Sequence, residues 1–171
     1  MSSSAKNLST YDENNIPDAN GMSIGVVVSE WNHQITHALY EACLQTLEKH
    51  GVQSDDIHRA QVPGAFELPA GAKMLASSAK LDAVICLGCV IKGETNHNEY
   101  INQAVATGLC NLSIVSGKPF IFGVLTPNNE AQAQDRAGGQ HGNKGVEAAV
   151  TAIRMVHLKK QLTKVEGKIG F

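Results

Sequence analysis

The chain has 171 residues, 43% of them apolar and 18% charged, with a formal net charge of −2. That length suits one domain with a core large enough to dispense with disulfides, and the near-neutral balance offers no basic face for nucleic acid or an anionic membrane. No apolar run of about 18 residues occurs, and no basic start leads into an apolar stretch, so neither a membrane span nor a leader peptide is expected and a cytoplasmic setting follows.

Residues 1–20 are rich in Ser, Asn and Asp without periodicity and read as a flexible tail able to order against a neighbour. Residues 21–165 read as the folded domain and 166–171 as a loose C-terminus. Ser23 to Val28 is β-rich and apolar, fit for a central parallel strand. From Gln34 to His50 apolar residues recur at Ile35, Ala38, Leu39, Ala42, Cys43 and Leu47, a helical stripe that ends at Lys49, His50 and Gly51. A second strand is predicted over Ile57 to Val62. A Pro63-Gly64 turn follows, then a helix over Phe66 to Ser78 with Pro69 near its start.

Ala83 to Ile91 is apolar on both faces and reads as a central strand. Asn98 to Ser116 reads as a helix and Pro119 to Leu125 as the fourth strand. Asn128 or Asn129 can cap a short helix through Arg136, Gly138 to Gly142 reads as a loop, and Lys144 to Leu162 as the last helix. Repeated strand–helix alternation implies right-handed crossovers and a parallel sheet covered on both faces. In such open sheets ligands bind beyond the carboxyl ends of the strands.

The four cysteines include a CxxC pair, Cys86 and Cys89. On a strand, residues three apart point to opposite faces, and no second pair exists to complete a zinc site, so buried reduced thiols are expected. His33 and His37 are spaced i, i+4, but no third ligand accompanies them. No metal is expected. No GxGxxG, GxxxxGK[ST] or GxSxG motif is present.

Unusual residues cluster after each strand. After the first come Trp31, whose ring suits stacking on a planar heterocycle, and Asn32. After the second come Ala65, Phe66 and Glu67, the last an acid able to accept hydrogen bonds from a polyol. After the third come Gly93, where backbone can approach a ligand, Glu94, Thr95 at the predicted helix start, where an anion is favoured, and His97, an imidazole able to move protons. After the fourth come Arg136, able to grip a phosphate, and Lys144. Taken singly, each also fits an ordinary structural role.

The segments Val62 to Pro69, Gly88 to His97, Phe122 to Thr126 and Arg136 to Gly145, in this order and spacing, resemble the lumazine synthase family across Ser23 to about Leu158. The resemblance implies a three-layer α/β/α sandwich of flavodoxin-like type around a four-stranded parallel sheet. It further implies homopentamers, sometimes assembled into a 60-subunit icosahedral shell, with active sites between subunits. The implied reaction condenses two small-molecule substrates, a ribityl-substituted diaminopyrimidine and a four-carbon keto phosphate, without any cofactor.

Residue by residue, the resemblance places Trp31, Ala65, Phe66, Glu67, Cys89, Val90, Ile91 and Phe122 around the pyrimidine and its ribityl chain. It places Glu94, Thr95 and Arg136 at the phosphate substrate, and His97 in proton transfer, with Asn32, Lys144 and Glu147 in support. Phe122 and Arg136 would come from the adjoining subunit. Three positions depart from the family: Trp31 where Phe is commoner, Asn98 where an aromatic is usual, and Gln140 where some members carry Lys.

Rival readings are a riboflavin synthase on a similar fold, a non-catalytic flavin-binding or shell protein, and a flavodoxin-like electron carrier. The last would need a Ser/Thr-rich phosphate loop after strand one, which Glu30-Trp31-Asn32-His33 does not supply.

Overall fold

A computed structural model describes Asn7 and residues 9–166, the side chains of 164–166 excepted. Four parallel strands, β1 (Ile24–Ser29), β2 (Ile57–Val62), β3 (Ala83–Cys89) and β4 (Phe120–Leu125), form a sheet in the order β2-β1-β3-β4. The helices are α1 (His33–Lys49), α2 (Leu68–Ser78), α3 (His97–Ser116), α4 (Glu130–Asp135) and α5 (Lys144–Glu166). The architecture is the expected three-layer, flavodoxin-like α/β sandwich.

Alternation along the central strands divides the core in two. Val26 and Val28 of β1 and Ile85, Leu87 and Cys89 of β3 face α1 and α5, where Leu39, Cys43, Leu47, Ala149 and Ile153 meet them. Val27, Val84 and Cys86 face α2 and α3, packing with Leu68, Ala72, Val105 and Leu109. Cys86 and Cys89 therefore lie in different layers, as a period of two demands. Edge strand β2 keeps partly exposed polar residues, His58, Arg59 and Gln61, between buried Ile57 and Val62.

The end of α1 follows the Gly51 signal, while later boundaries differ from the predicted ones. α1 ends in a Schellman arrangement: the N–H of Gly51, at φ +106°, reaches the Glu48 carbonyl at 3.0 Å, and that of Val52 reaches Leu47 at 3.1 Å. β3 ends at Cys89, although Val90 and Lys92 still donate to the Leu125 and Pro127 carbonyls in the register of the β3–β4 ladder. The 138–142 segment is more than a loop: Ala137–Gly139 (β5) and Gly142–Asn143 (β6) pair as a small antiparallel hairpin, turned by Gly138 and Gly142 at positive φ.

Within the stretch read as a tail, residues 9–20 make specific contacts. Ala19 is buried and donates to the His50 carbonyl at 2.9 Å, and Tyr11 Oη lies 3.1 Å from His50 Nε2. Ser9 Oγ bridges the backbone of Asn143. Lone apolar residues in a polar run carry no periodic signal, so this docking was invisible to pattern reading. The tail and C-terminal expectations for residues 1–6, 8 and 167–171 lie outside the described residues.

α1 and α5 cross so closely that a Cβ added at Gly145 would overlap the Leu39 carbonyl. Backbone on one side and a helix on the other leave nothing flexible to yield. Gly145→Ala is expected to cost about 3 kcal/mol or more. Thermal unfolding should then show a melting temperature lowered by roughly 6–12 °C.

Candidate active site

The strand order reverses between β1 and β3. α1 leaves β1 toward one face and α3 leaves β3 toward the other. That divergence opens a crevice at the carboxyl ends of the two strands. Asn32 spans it. Its backbone is left-handed (φ 58°), the only non-glycine residue with positive φ among those described, and its Nδ2 donates to the Cys89 carbonyl at 2.9 Å. Asn tolerates this conformation better than most residues, and the side chain here ties β1 to β3 instead of capping α1.

The same loop reaches β2. Glu30 donates to the Val62 carbonyl at 2.9 Å and Trp31 to Pro63 at 3.2 Å. Trp31 is thereby held with its side chain 64% exposed. Glu67 folds back so that Oε2 accepts from the Gly64 N–H at 3.1 Å. A Cβ placed on Gly64 would lie 3.0 Å from Glu67 Oε2 and 3.1 Å from Trp31 Cε3. Indole and carboxylate therefore flank one glycine, and a side chain there would have to displace one or both of them by a few tenths of an ångström. Ala65 is buried, and Phe66 is 59% exposed beside them.

At the end of β3, Cys89 and Val90 are buried, Ile91 is half-buried, and Lys92 through His97 are exposed. Gly93 faces open space. Asn96 is the N-cap of α3 and His97 its first residue, so Thr95 precedes the cap instead of starting the helix. α3 also packs against the 65–67 turn, bringing its layer to Phe66 and Glu67. Ser29, 1% exposed at the end of β1, holds an Oγ without a hydrogen-bond partner, a residue that apolar patterning did not single out.

A second group lies beyond β4. Arg136 Nη1 donates to the His141 carbonyl at 2.9 Å and sits 2.8 Å from Glu147 Oε1, while Nη2 donates to Oε2 at 3.2 Å. Oε1 has a close charge contact but no aligned hydrogen bond, so Glu147 holds the guanidinium through one hydrogen bond plus attraction. Lys144 Nζ shares Oε2 at 3.1 Å. Arg136 and Lys144 border a cavity of about 420 Å³ with Leu125, Thr126, Gln132, Asp135 and His141. Another, about 370 Å³, lies at the opposite end of β4 against Phe120, Met155 and Leu158 and is mainly apolar.

The structure thus gathers Trp31, Asn32, Gly64 and Glu67 around the ends of β1 and β2, and Arg136, Lys144 and Glu147 in a separate group after β4. Phe122 joins neither. It sits mid-strand opposite Cys86, half-buried against the α2–α3 layer. Among the described residues no group of three or more His, Cys, Asp or Glu is placed to hold a metal, and the His33 and His37 rings stack 5.3 Å apart. No described helix is long and apolar enough to cross a membrane.

With this geometry in view, the similarity to known proteins is decisive. A sequence profile described as 6,7-dimethyl-8-ribityllumazine synthase matches residues 21–160. The chain belongs to the 6,7-dimethyl-8-ribityllumazine synthase family. Relatives carrying that name include one from Parabacteroides distasonis, 53% identical over 92% of this chain and 98% of its own length. One from Cytophaga hutchinsonii is 53% identical over 91% and 98%. One from Phocaeicola vulgatus is 45% identical over 97% and 99%. Identity at this level over nearly full length leaves no room for the electron-carrier reading.

The three buried thiols of this lumazine synthase-family chain are unreactive by placement. Burial pushes the Cys43 thiol up to about 12 and that of Cys89 up to about 11, and raises Cys86 as well. A raised value keeps the neutral thiol, the poor nucleophile, at neutral pH. Only Cys110 is exposed. Titration of the native protein with an aromatic disulfide at pH 8 should therefore consume no more than one of the four thiols, and all four after denaturation.

Proposed function

We propose that the chain is a 6,7-dimethyl-8-ribityllumazine synthase that condenses 5-amino-6-(D-ribitylamino)uracil with 3,4-dihydroxy-2-butanone 4-phosphate. The pyrimidine amine attacks the ketone, and loss of water gives an imine. Phosphate then leaves, the enol tautomerises, and the ribityl-bearing nitrogen closes the ring with loss of a second water. Atoms balance without an oxidant, so the protein's task is to hold two reactants together and move protons.

The observation carrying this reading is the meeting of Trp31 and Glu67 across Gly64. An exposed indole offers a stacking face to the pyrimidine. Glu67, with one oxygen on Gly64 and the other without a hydrogen bond among the described residues, offers an acceptor to the ribityl hydroxyls. Cys89, Val90 and Ile91 supply the neighbouring strand end. In the same reading Glu94 and Thr95 meet the keto phosphate in the open loop, and His97 transfers the proton. Arg136 takes the phosphate, and Glu147 and Lys144 keep the guanidinium in place.

The separation of the two corners supports a site shared between copies. Trp31 and Glu67 follow β1 and β2, whereas Arg136 follows β4 and α4 and is committed to Glu147 and His141 of its own chain. A neighbouring copy that brings its Arg136, with Phe122, to this chain's Trp31–Glu67 corner removes the difficulty. Exposed Trp31 and Phe66 fit coverage by such a neighbour. The reading includes a homopentamer, with a 60-subunit shell as its larger form, and a cytoplasmic location, to which the free cysteines are suited.

Mixing the protein with both substrates should produce the lumazine chromophore with stoichiometric phosphate, in particles that light scattering sizes at five copies or more. Riboflavin formed from lumazine alone would instead favour dismutation. Because proximity dominates, His97→Ala should slow turnover by about tenfold to a hundredfold. Total loss with intact assembly would contradict this view of catalysis. Arg136→Ala should raise KM for the keto phosphate by about tenfold or more, and an unchanged KM would remove Arg136 from phosphate capture.

A further inference from the structure

The β5–β6 hairpin cannot hold itself. Its strands are three and two residues long and mostly glycine, and an isolated two-stranded ribbon of that kind is marginal in water. Yet it carries a partner of Arg136. The His141 carbonyl accepts from Arg136 Nη1 at 2.9 Å, and the Lys144 N–H, just past β6, donates to the Arg136 carbonyl at 2.9 Å. The His141 bond orients the guanidinium and leaves its charge intact, whereas Glu147 neutralises it.

What fixes the hairpin comes from far along the chain. From α1, the Ala38 carbonyl accepts from Asn143 Nδ2 at 3.1 Å. From the N-terminal segment, Ser9 takes both backbone groups of Asn143: its Oγ donates to the carbonyl at 2.9 Å and accepts from the N–H at 2.5 Å. Gly142 is buried against the same segment, and a Cβ there would overlap Asn7 and Ser9. A local turn presents Ser9, whose own N–H donates to Asn7 Oδ1 at 2.9 Å, as Asn side chains commonly do two residues on. Tyr11 and Ala19 then fasten the segment to His50 at the end of α1. One helix thus anchors both holds on Asn143.

We propose that Ser9 is a positioning residue for capture of the phosphate substrate: by clamping Asn143 it keeps the His141 carbonyl where it aims the Arg136 guanidinium. The proposal rests on the functional reading above. Ser9 touches no reactant and acts through the hairpin. Without the clamp the glycine-rich backbone gains freedom, and Arg136 shares its time between the His141 carbonyl and a closer embrace with Glu147. An incoming anion must then reorder the arginine, which lowers affinity. Among the described residues, neither Trp31 nor Glu67 hydrogen-bonds to Ser9 or the hairpin, so the pyrimidine corner is unaffected.

The test compares wild type, Ser9→Ala and Ser9→Thr in steady-state turnover, in calorimetric binding of inorganic phosphate and in amide hydrogen exchange at Asn143. Ser9→Ala should accelerate the Asn143 exchange. It should raise KM for the keto phosphate and Kd for inorganic phosphate about three- to tenfold, the range set by hydrogen bonds of ordinary strength. Its kcat and its KM for the pyrimidine should stay within about twofold of wild type, as for a loss of binding alone. Ser9→Thr keeps the hydroxyl and should match wild type throughout.

Faster Asn143 exchange with unchanged phosphate KM and Kd would overturn the proposal, because the clamp would then not aim Arg136. Parallel losses in kcat and both KM values, the mark of general loosening, would overturn it too, as would a Ser9→Thr defect equal to that of Ser9→Ala. Phosphate binding separates these failures from failure of the functional reading. A protein that makes no lumazine yet binds inorganic phosphate with the Ser9 dependence keeps the clamp and loses the reading. One that makes lumazine without that dependence keeps the reading and loses the clamp.

Discussion

Placement of β1 beside β3, with chains departing them toward opposite faces, is the constraint on which the site depends. A parallel sheet in the order β2-β1-β3-β4 has one position where successive crossovers diverge, and no helix can cover the strand ends there. The Asn32–Cys89 hydrogen bond closes the base of that opening. It fixes where Trp31 projects, and through the Trp31–Pro63 and Glu30–Val62 bonds it sets the β1 loop against the β2 turn. Gly64 completes the corner, since any larger residue would push Trp31 and Glu67 apart.

The Arg136 group follows a different logic. An arginine with two firm partners is ordered in advance, so less entropy is lost when an anion arrives. The same partners drain its charge. Glu147 serves two cations at once, and its half-buried position strengthens that hold relative to a surface pair. An anion bound here would have to share donors already in use. The hairpin of β5 and β6, pinned to α1 by Asn143 and to α4 by Arg136, keeps those donors in register.

Much of this was legible in the chain. The helical stripe from Ile35 to Leu47, the two-faced apolar run at Ala83 and the Gly51 stop each express a local rule of periodicity or backbone freedom, and each appears in the structure within a residue or two. The clusters after the strands were also visible, because a parallel α/β order dictates which end of the sheet is functional. The β5–β6 hairpin was not. Its strands are two and three residues long, built largely of glycine, with no side-chain alternation to betray them. The docking of Tyr11 and Ala19 onto His50 was hidden for a related reason, since isolated long-range contacts leave no periodic trace.

The sequence by itself determined the elements, the α/β class and the family, because these follow from residue periodicity, turn chemistry and motifs in a matching order. Tertiary structure alone decided which of the motif residues meet. Trp31 and Glu67 are 36 positions apart and touch the same glycine. Arg136 is tied to Glu147 and His141, and Phe122 lies half-buried against the α2–α3 layer. Such pairings are set by strand order and crossing helices. They arise from contacts between distant segments, whose geometry no local pattern encodes.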